Sequence, residues 1–271
     1  MHLALLGQGI GNSLSPVLQR AAAQSIGRVL QYTLLDLGDH ELDETLEKIR
    51  QEHWDGVNIT SPYKRWAWAQ VSDHDSTSRH LEVVNTITPL GSGRLRGDNT
   101  DRVGFEHLLG DLPRRRPLIL GAGGVARVVV HSLGSHDVDE MWICNRRLQR
   151  AADLQVFAKR DLQAIALNAV ADHLSTVDLV VNCLPPSMSP WLCTLPFHRL
   201  PPSAVMVDLT YGVAAKPLAR HMRSCGRAAR DGLEMLIAQG VESFRIWTGE
   251  QPDLAMVSSA VRTAAAQQGI D

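Results

Sequence analysis

The run Leu118-Ile119-Leu120-Gly121-Ala122-Gly123-Gly124-Val125-Ala126 passes from an apolar strand candidate through a glycine turn into a helical pattern, Val125–Leu133. It has the form G-x-G-x-x-G/A, with Ala126 at the small third position. Gly121 permits the tight turn. Gly123 lets the backbone come close to a pyrophosphate, which then sits at the positive end of the helix. A lone glycine turn can be no more than a strand-to-helix connection. Here a second strand candidate, Met141–Ile143, completes the unit, so Gly121, Ala122, Gly123, Gly124 and Val125 are the candidate dinucleotide contacts.

The residues after that second strand choose between cofactors. An acidic side chain about 20 positions after the glycines would accept hydrogen bonds from ribose hydroxyls. This chain has Asn145-Arg146-Arg147 instead, with Arg150 one turn later. Guanidinium groups match a phosphate through their planar fork of donors, so the cluster points to the 2′-phosphate of NADP(H). Any one of these arginines could equally open a solvated helix.

Outward from this loop, β-like runs alternate with helical patterns, the signature of an α/β fold with largely parallel sheets. The later strand candidates are Leu118–Leu120, Met141–Ile143, Leu179–Val181 and Val205–Asp208; the earlier ones are His2–Leu6, Tyr32–Asp36, Gly56–Ile59 and Asn85–Thr88. Helical patterns cover Pro16–Ile26 and Glu41–Glu52, the latter with Leu42, Leu46 and Ile49 on one stripe. Thr100–Leu112 reads as a connecting helix, and Glu234–Gly269 as a helical closing segment.

With 21% charged residues and a formal net charge of -2, the chain lacks the basic surplus of a nucleic-acid binder. Arg114–Arg116, flanked by prolines, reads as a solvated turn. The opening apolar run is too short for a secretory h-region, and no stretch suits a membrane span. The four cysteines form no CxxC pair and no metal-ligand spacing, so they read as reduced cytoplasmic thiols with neither a metal nor a disulfide framework.

The first third repeats one device. Ser13-Leu14-Ser15-Pro16 reads as Ser15 at an N-cap before a proline, Thr60-Ser61-Pro62 reads the same way, and Asp98-Asn99-Thr100-Asp101 opens a third helix. Singly, each is ordinary capping. Together, polar helix starts at neighbouring strand ends suit an anionic, hydroxyl-rich small molecule. Lys64 falls in the first turn of the second of these helices, where the helix dipole disfavours it by about 0.3–1 kcal/mol. A carboxylate about 4 Å away would favour the ammonium by roughly 4 kcal/mol at an effective dielectric near 20. Asp101 is the expected carboxylate.

These motifs, in this order, resemble the shikimate dehydrogenase family. The matching strings include Ser13–Pro16, Gly56–Lys64, Val84-Asn85-Thr86, Gly97–Phe105, Gly121–Ala126, Asn145-Arg146, Asp231-Gly232-Leu233, and Met235, Gln239, Phe244 and Trp247–Gly249. The resemblance implies a two-domain α/β fold: an N-terminal substrate domain (1–104, with helices of 236–271 returning to it) and a Rossmann NADP-binding domain (105–235), with a cleft between them. It implies reversible NADPH-dependent reduction of 3-dehydroshikimate to shikimate, a step of aromatic amino acid biosynthesis on the chorismate pathway. It implies that Ser13 and Ser15 hold a carboxylate, and that Thr60, Asn85, Asp101 and Gln239 bind ring hydroxyls, with Tyr211 nearby. Lys64 would be the acid/base paired with Asp101, and Leu209 and Gly232 would line the nicotinamide. A monomer or homodimer in the cytoplasm, without nucleic-acid or membrane partners, is expected.

The chain departs from the family pattern at Gly9, Asn12, Gln19-Arg20, Glu82, Leu184-Pro185, Lys216 and Glu234. Three alternatives therefore stand beside the main reading. One is a paralogue acting on quinate, an aminoshikimate or a related ring. A second, an NAD-dependent quinate enzyme, is opposed by the lack of an acidic residue at 145. The third, a non-catalytic NADP(H) sensor, is opposed by the retention of Lys64 and Asp101.

Overall fold

β1 (His2–Gly7) is buried beyond its first residue, which is why it reads as a continuous apolar run rather than an alternating one. It is followed by α1 (Ser15–Ser25), β2 (Gln31–Asp36), α2 (Leu42–Gln51), β3 (Gly56–Ile59), α3 (Lys64–Gln70), β4 (Asp73–His74), α4 (Ser76–Leu81), β5 (Thr86–Gly91) and β6 (Arg94–Asp98). The sheet order is β2-β1-β3-β5-β6-β4. β2, β1 and β3 run parallel and β4 and β6 share their direction; β5 alone is antiparallel to both of its neighbours, so the sheet is largely parallel, as expected, with one reversed strand. Leu42, Leu46 and Ile49 of α2 pack with Leu6, Val57, Ile59 and Ile87 of the strands.

β5 meets the expected strand Asn85–Thr88, whereas β6, and with it the β5–β6 hairpin, is absent from the strand expectations above. Its turn, Gly91-Ser92-Gly93, takes positive φ at all three residues, and the charged Arg94 and Arg96 interrupt the apolar signal of β6. β4, two residues long, was also not expected.

Glu82 closes α4 in the left-handed region, φ 53 and ψ 38. This gives a physical reason for the glycine usual at that position, since a Cβ there costs roughly 1–2 kcal/mol. Replacing Glu82 with glycine is expected to stabilise the protein by about 0.5–1 kcal/mol, part of the strain relief being offset by the more flexible unfolded chain. A denaturant midpoint that rises with an unchanged m-value is the check; a midpoint that stays or falls would contradict it.

The computed structural model describes residues 1–268, and the chain divides into Met1–Gly104 with the segment from Leu236 on, and Phe105–Met235. It passes from the first unit to the second inside α5 (Asp101–Leu109). The second unit continues with β7 (Pro117–Leu120), α6 (Gly124–Leu133), β8 (Met141–Cys144), α7 (Leu148–Ala152), β9 (Leu162–Ile165), α8 (Val170–His173), β10 (Leu179–Asn182), α9 (Ser189–Leu192), β11 (Val205–Asp208), α10 (Lys216–Ser224) and β12 (Ala228–Asp231). Its strand order is β12-β11-β10-β7-β8-β9, with every pair parallel. Read from the other edge this is the 3-2-1-4-5-6 order of a dinucleotide-binding sheet, and the order reverses between β7 and β10. β7, β8 and β10 are buried throughout. The edge strands β9 and β12 were not anticipated; β12 is exposed over most of its length, and β9 is a short Leu-Gln-Ala-Ile run.

The closing segment is two helices. α11 (Leu233–Thr248) and α12 (Leu254–Gln267) are separated at Gly249–Pro252, where Gly249 has φ +71. α12 packs on α1 within the first unit. The expected extension over residues 269–271 lies outside the described residues. No helix among the described residues is long and apolar enough to cross a membrane.

Candidate active site

Lys64 opens α3 and Asp101 opens α5. Their side chains meet: Lys64 Nζ donates to Asp101 Oδ2 at 2.7 Å, with side-chain exposures of 15% and 5%. The dipole of α5 favours a carboxylate where Asp101 stands and that of α3 disfavours an ammonium where Lys64 stands. The ion pair outweighs the latter. A lysine ammonium has three N–H donors; one is held by Asp101, which leaves others for an oxygen of a bound molecule.

Asp101 Oδ1 accepts from Asn85 Nδ2 at 3.0 Å. That amide nitrogen also lies 2.9 Å from Thr100 Oγ1 and 3.3 Å from Gln239 Oε1. Asn85 Oδ1 accepts from the Thr100 backbone N–H at 2.8 Å, so the amide stands with its donor end towards Asp101. Lys64, Asn85, Asp101 and Gln239 therefore form one connected group in the first unit. Thr60, at the end of β3, accepts on its carbonyl from the Tyr63 N–H and donates its own N–H to Leu6. Ser13 lies in the loop after β1 and Ser15 opens α1, and Asp36 fixes that loop by accepting the N–H groups of Gly9 and Ile10 at 2.8 and 3.1 Å.

The capping expectations need correction. Ser15 is the first helical residue of α1 rather than its cap, and Leu14 at the cap position offers no side-chain bond. Ser13 Oγ instead accepts the Ser15 N–H at 3.2 Å, which leaves the Ser15 hydroxyl uncommitted to capping. Pro62 likewise precedes α3 by two residues, with Tyr63 at the cap position and no side-chain bond. At α5 the side chain that closes the first turn is Asn99, whose Oδ1 accepts the Arg102 N–H at 3.3 Å. Serine, threonine and proline cluster at these starts for reasons beyond helix termination.

In the second unit, Gly121 has φ +103, and a Cβ there would lie 3.0 Å from Leu184 Cδ2 and 3.2 Å from the Cys183 carbonyl carbon. Only glycine suits that conformation and that approach. Gly123 precedes α6 without a side-chain cap, and a Cβ built on it meets nothing within 4 Å. Space beside Gly123 at the start of α6 is thus open, and a helix start with uncapped N–H groups is the arrangement that receives a pyrophosphate. Beyond β8, Arg146, Arg147 and Arg150 are exposed. Asn145 Nδ2 donates to the Arg147 carbonyl at 3.1 Å, and among the described residues no ion pair engages the three guanidinium groups. The donor set fits a nucleotide bearing a 2′-phosphate.

Leu209, Tyr211 and Gly232 also belong to the second unit. Gly232 N–H donates to the Thr210 carbonyl at 2.8 Å, and a Cβ on Gly232 would lie 2.5 Å from the Leu209 carbonyl oxygen. The strands therefore bring Leu209 and Gly232 into contact. A cavity of about 410 Å³, lined in part by His107, Asp208, Lys216 and Glu234, contains none of the expected site residues.

Asp208 ends β11 with 5% exposure. Its Oδ1 accepts from Asn182 Nδ2 at 2.9 Å and from the Thr210 N–H at 3.1 Å. Burial pushes its carboxyl above the usual carboxylate range, and these donors only partly offset the shift. A carboxyl raised in the folded state favours folding below its unfolded value and loses that contribution as pH rises through the folded one. Asp208→Asn keeps the acceptor and removes the charge. It is expected to raise the thermal midpoint at neutral pH, the gain shrinking as pH falls towards the carboxylate range; a gain independent of pH would refute this.

Burial also holds the Cys144 thiol protonated, with its pKa pushed up to about 12, and pushes Cys183 up as well. All four cysteines are free. Among the described residues no group of three or more His, Cys, Asp or Glu side chains is arranged to hold a metal ion.

Three family descriptions match in succession: the shikimate dehydrogenase substrate binding domain over residues 5–87, shikimate / quinate 5-dehydrogenase over 105–210, and the shikimate 5'-dehydrogenase C-terminal domain over 232–262. The shikimate dehydrogenase (NADP(+)) of Shouchella clausii is 31% identical over 270 residues, covering 96% of this chain and 98% of that protein. The chain belongs to the shikimate dehydrogenase family. The shikimate 5-dehydrogenase of Thermus thermophilus, solved in complex with NADP(H) and shikimate, superposes with a TM-score of 0.82 at 32% identity, over 97% of this chain and 99% of that one. The quinate dehydrogenase of Corynebacterium glutamicum, solved in complex with NAD, gives 0.81 at 25% identity, over 97% and 99%.

Several departures from the shikimate dehydrogenase pattern now have a structural account. Gly9 has φ +68, closed to the proline usual in the family, so the backbone of the opening loop differs at this residue. Gln19 is 1% exposed and donates through Nε2 to the Gly240 carbonyl at 3.0 Å. Leu184 packs against Gly121. Lys216 and Glu234 both line the cavity beside Asp208. The buried polar residues Asn58, Thr86, Thr100 and Ser243, which also meet around Asn85, carried no separate signal. Asn58 inside the apolar run of β3, and Ser243 four residues after Gln239, were the available hints.

Proposed function

We propose that this chain catalyses the reversible NADPH-dependent reduction of 3-dehydroshikimate to shikimate. The observation that carries this is the buried Lys64–Asp101 pair at 2.7 Å, set beside the Asn85 and Gln239 amides. It is a proton donor and a group of hydroxyl-binding atoms in one place. Bound NADPH supplies the hydride and NADP⁺ takes it back. Lys64 Nζ donates a proton to the ketone oxygen as it becomes an alkoxide, and in the reverse direction Lys64 takes that proton from the hydroxyl. This general acid–base role requires the nitrogen within hydrogen-bond reach of the oxygen. Asp101 orients the ammonium and accepts from a ring hydroxyl.

Asn85 Nδ2 has two protons and three neighbouring acceptors. Gln239, the most distant of them, is the one that a substrate hydroxyl displaces. Thr60, with Tyr211, completes the hydroxyl contacts, and Ser13 and Ser15 hold the carboxylate. In the second unit, Gly121–Val125 bind the pyrophosphate, and Asn145, Arg146, Arg147 and Arg150 bind the 2′-phosphate. Leu209 and Gly232 line the nicotinamide. The free thiols are compatible with a reducing cytoplasmic setting, where the chain would work as a monomer or homodimer.

The test is the rate of NADPH formation from NADP⁺ with shikimate and, separately, with quinate. Turnover of shikimate with the higher kcat/KM supports the reading. Turnover of quinate alone keeps the chemistry and moves the substrate, and no turnover of either compound by protein that binds NADPH would overturn it.

A further inference from the structure

Behind the Lys64–Asp101 pair lies a second tier of polar side chains with almost no access to solvent. Ser243 is its centre. Its Oγ lies 2.8 Å from Thr86 Oγ1, 3.1 Å from Thr100 Oγ1 and 3.2 Å from Asn58 Nδ2, and it donates to the Gln239 backbone carbonyl at 3.0 Å. Ser243, Thr86 and Thr100 are at most 1% exposed and Asn58 is 5% exposed. In such surroundings every donor and acceptor needs a partner, so the bonds constrain one another's direction.

Tyr32 OH donates to Asn58 Oδ1 at 3.0 Å, which turns the Asn58 amide so that Nδ2 donates to Ser243. Thr100 Oγ1 accepts from Asn85 Nδ2, so its own proton points elsewhere, and Ser243 Oγ is the nearest acceptor. Thr86 Oγ1 donates to Asn85 Oδ1 at 3.2 Å and lies 2.8 Å from Ser243 Oγ. Ser243 thus takes the Thr100 proton and fixes Thr86 beside it. Those two threonines hold opposite ends of the same amide.

We propose that Ser243 is a positioning residue for the reaction, acting through Thr86 and Thr100 on Asn85 and so on the donor that Asn85 keeps on Asp101 Oδ1. Without the Ser243 hydroxyl, the Thr100 proton turns towards Asn85 Oδ1 or Gln239 Oε1. Thr100 then no longer accepts from Asn85, and the amide swings towards Gln239 and away from Asp101. The effect on rate rests on the proposed dehydrogenase reading; the arrangement of the amide does not.

Ser243→Ala removes the hydroxyl, and Thr86→Val, close in shape, removes the donor on Asn85 Oδ1 while leaving Ser243 in place. Each is expected to lower kcat for shikimate oxidation about tenfold, the scale of one net hydrogen bond, with KM for NADP⁺ unchanged. Because both act on the one Asn85 amide, the double variant is expected to lose clearly less than the product of the single losses. Independently of turnover, the Asn85 side-chain amide protons, followed by NMR on ¹⁵N-labelled protein, are expected to shift and exchange faster in both variants.

A lowered thermal midpoint with kcat and the Asn85 amide signals unchanged would show Ser243 to be only structural and would overturn the proposal. Multiplicative effects in the double variant would overturn it too. A wild-type protein inactive on shikimate would sink the dehydrogenase reading, and the amide signals would still decide the role of Ser243.

Discussion

Lys64→Ala is expected to lower kcat for shikimate oxidation by about 10²–10⁴-fold, the usual contribution of a positioned general acid or base. KM for NADP⁺ is expected to stay the same, because every residue assigned to the nucleotide belongs to the second unit. The variant also leaves Asp101 as a carboxylate with 5% exposure and no cation beside it. Removing one partner of a buried pair typically costs about 3–5 kcal/mol, and the Asn85 donor on Oδ1 offsets part of that. Loss of rate and loss of stability therefore need to be told apart. Adding Asp101→Asn to Lys64→Ala removes the stranded charge, so the double variant is expected to recover thermal stability while remaining slow. Activity returning together with stability would mean that Lys64 serves the fold and not the chemistry.

The second large effect concerns cofactor choice. Replacing Arg146 and Arg147 together with alanine is expected to raise KM for NADP⁺ roughly 10–100-fold. The figure follows from about 1.5–3 kcal/mol per hydrogen bond to a charged group, where 1.4 kcal/mol is a factor of ten. The kcat/KM with NAD⁺ is expected to change little, since NAD⁺ has no 2′-phosphate for the arginines to hold. Both residues are exposed and without ion-pair partners among the described residues, so removing them strands no opposing charge and the fold is expected to hold. Equal losses with both nucleotides would place the arginines on a part of the cofactor that the two share.

Much of this was legible in the sequence where the physics is local. The turn needs positive φ and a close backbone approach at Gly121, and only glycine supplies both, so the cofactor loop was visible before any coordinates. Central strands such as β7 and β10 are buried on both faces and therefore read as apolar runs. β12 stands at a sheet edge, where packing asks little of one face, and its small and polar residues hid it, while β9, at the other edge, was missed despite Leu162, Ala164 and Ile165. β6 was masked by its arginines. Lys64 and Asp101 are 37 positions apart, yet each marks a helix start, and that placed them as candidates.

The caps show the limit of the approach. Serine before proline resembles helix termination, but neither Ser15 nor Ser61 caps its helix in the structure. The tier around Ser243 was out of reach for another reason. Its meaning lies in which hydroxyl donates to which, and that depends on contacts as far apart in sequence as Asn58 and Ser243, 185 positions.

The most direct test of the central claim is to incubate the purified protein with 3-dehydroshikimate and NADPH carrying deuterium at the transferable position of its nicotinamide, and to analyse the product by NMR. The account predicts shikimate with one deuterium on the ring carbon that bears the new hydroxyl, formed far more slowly by Lys64→Ala. Binding of NADPH without its oxidation, or a product with no deuterium on that carbon, would contradict it.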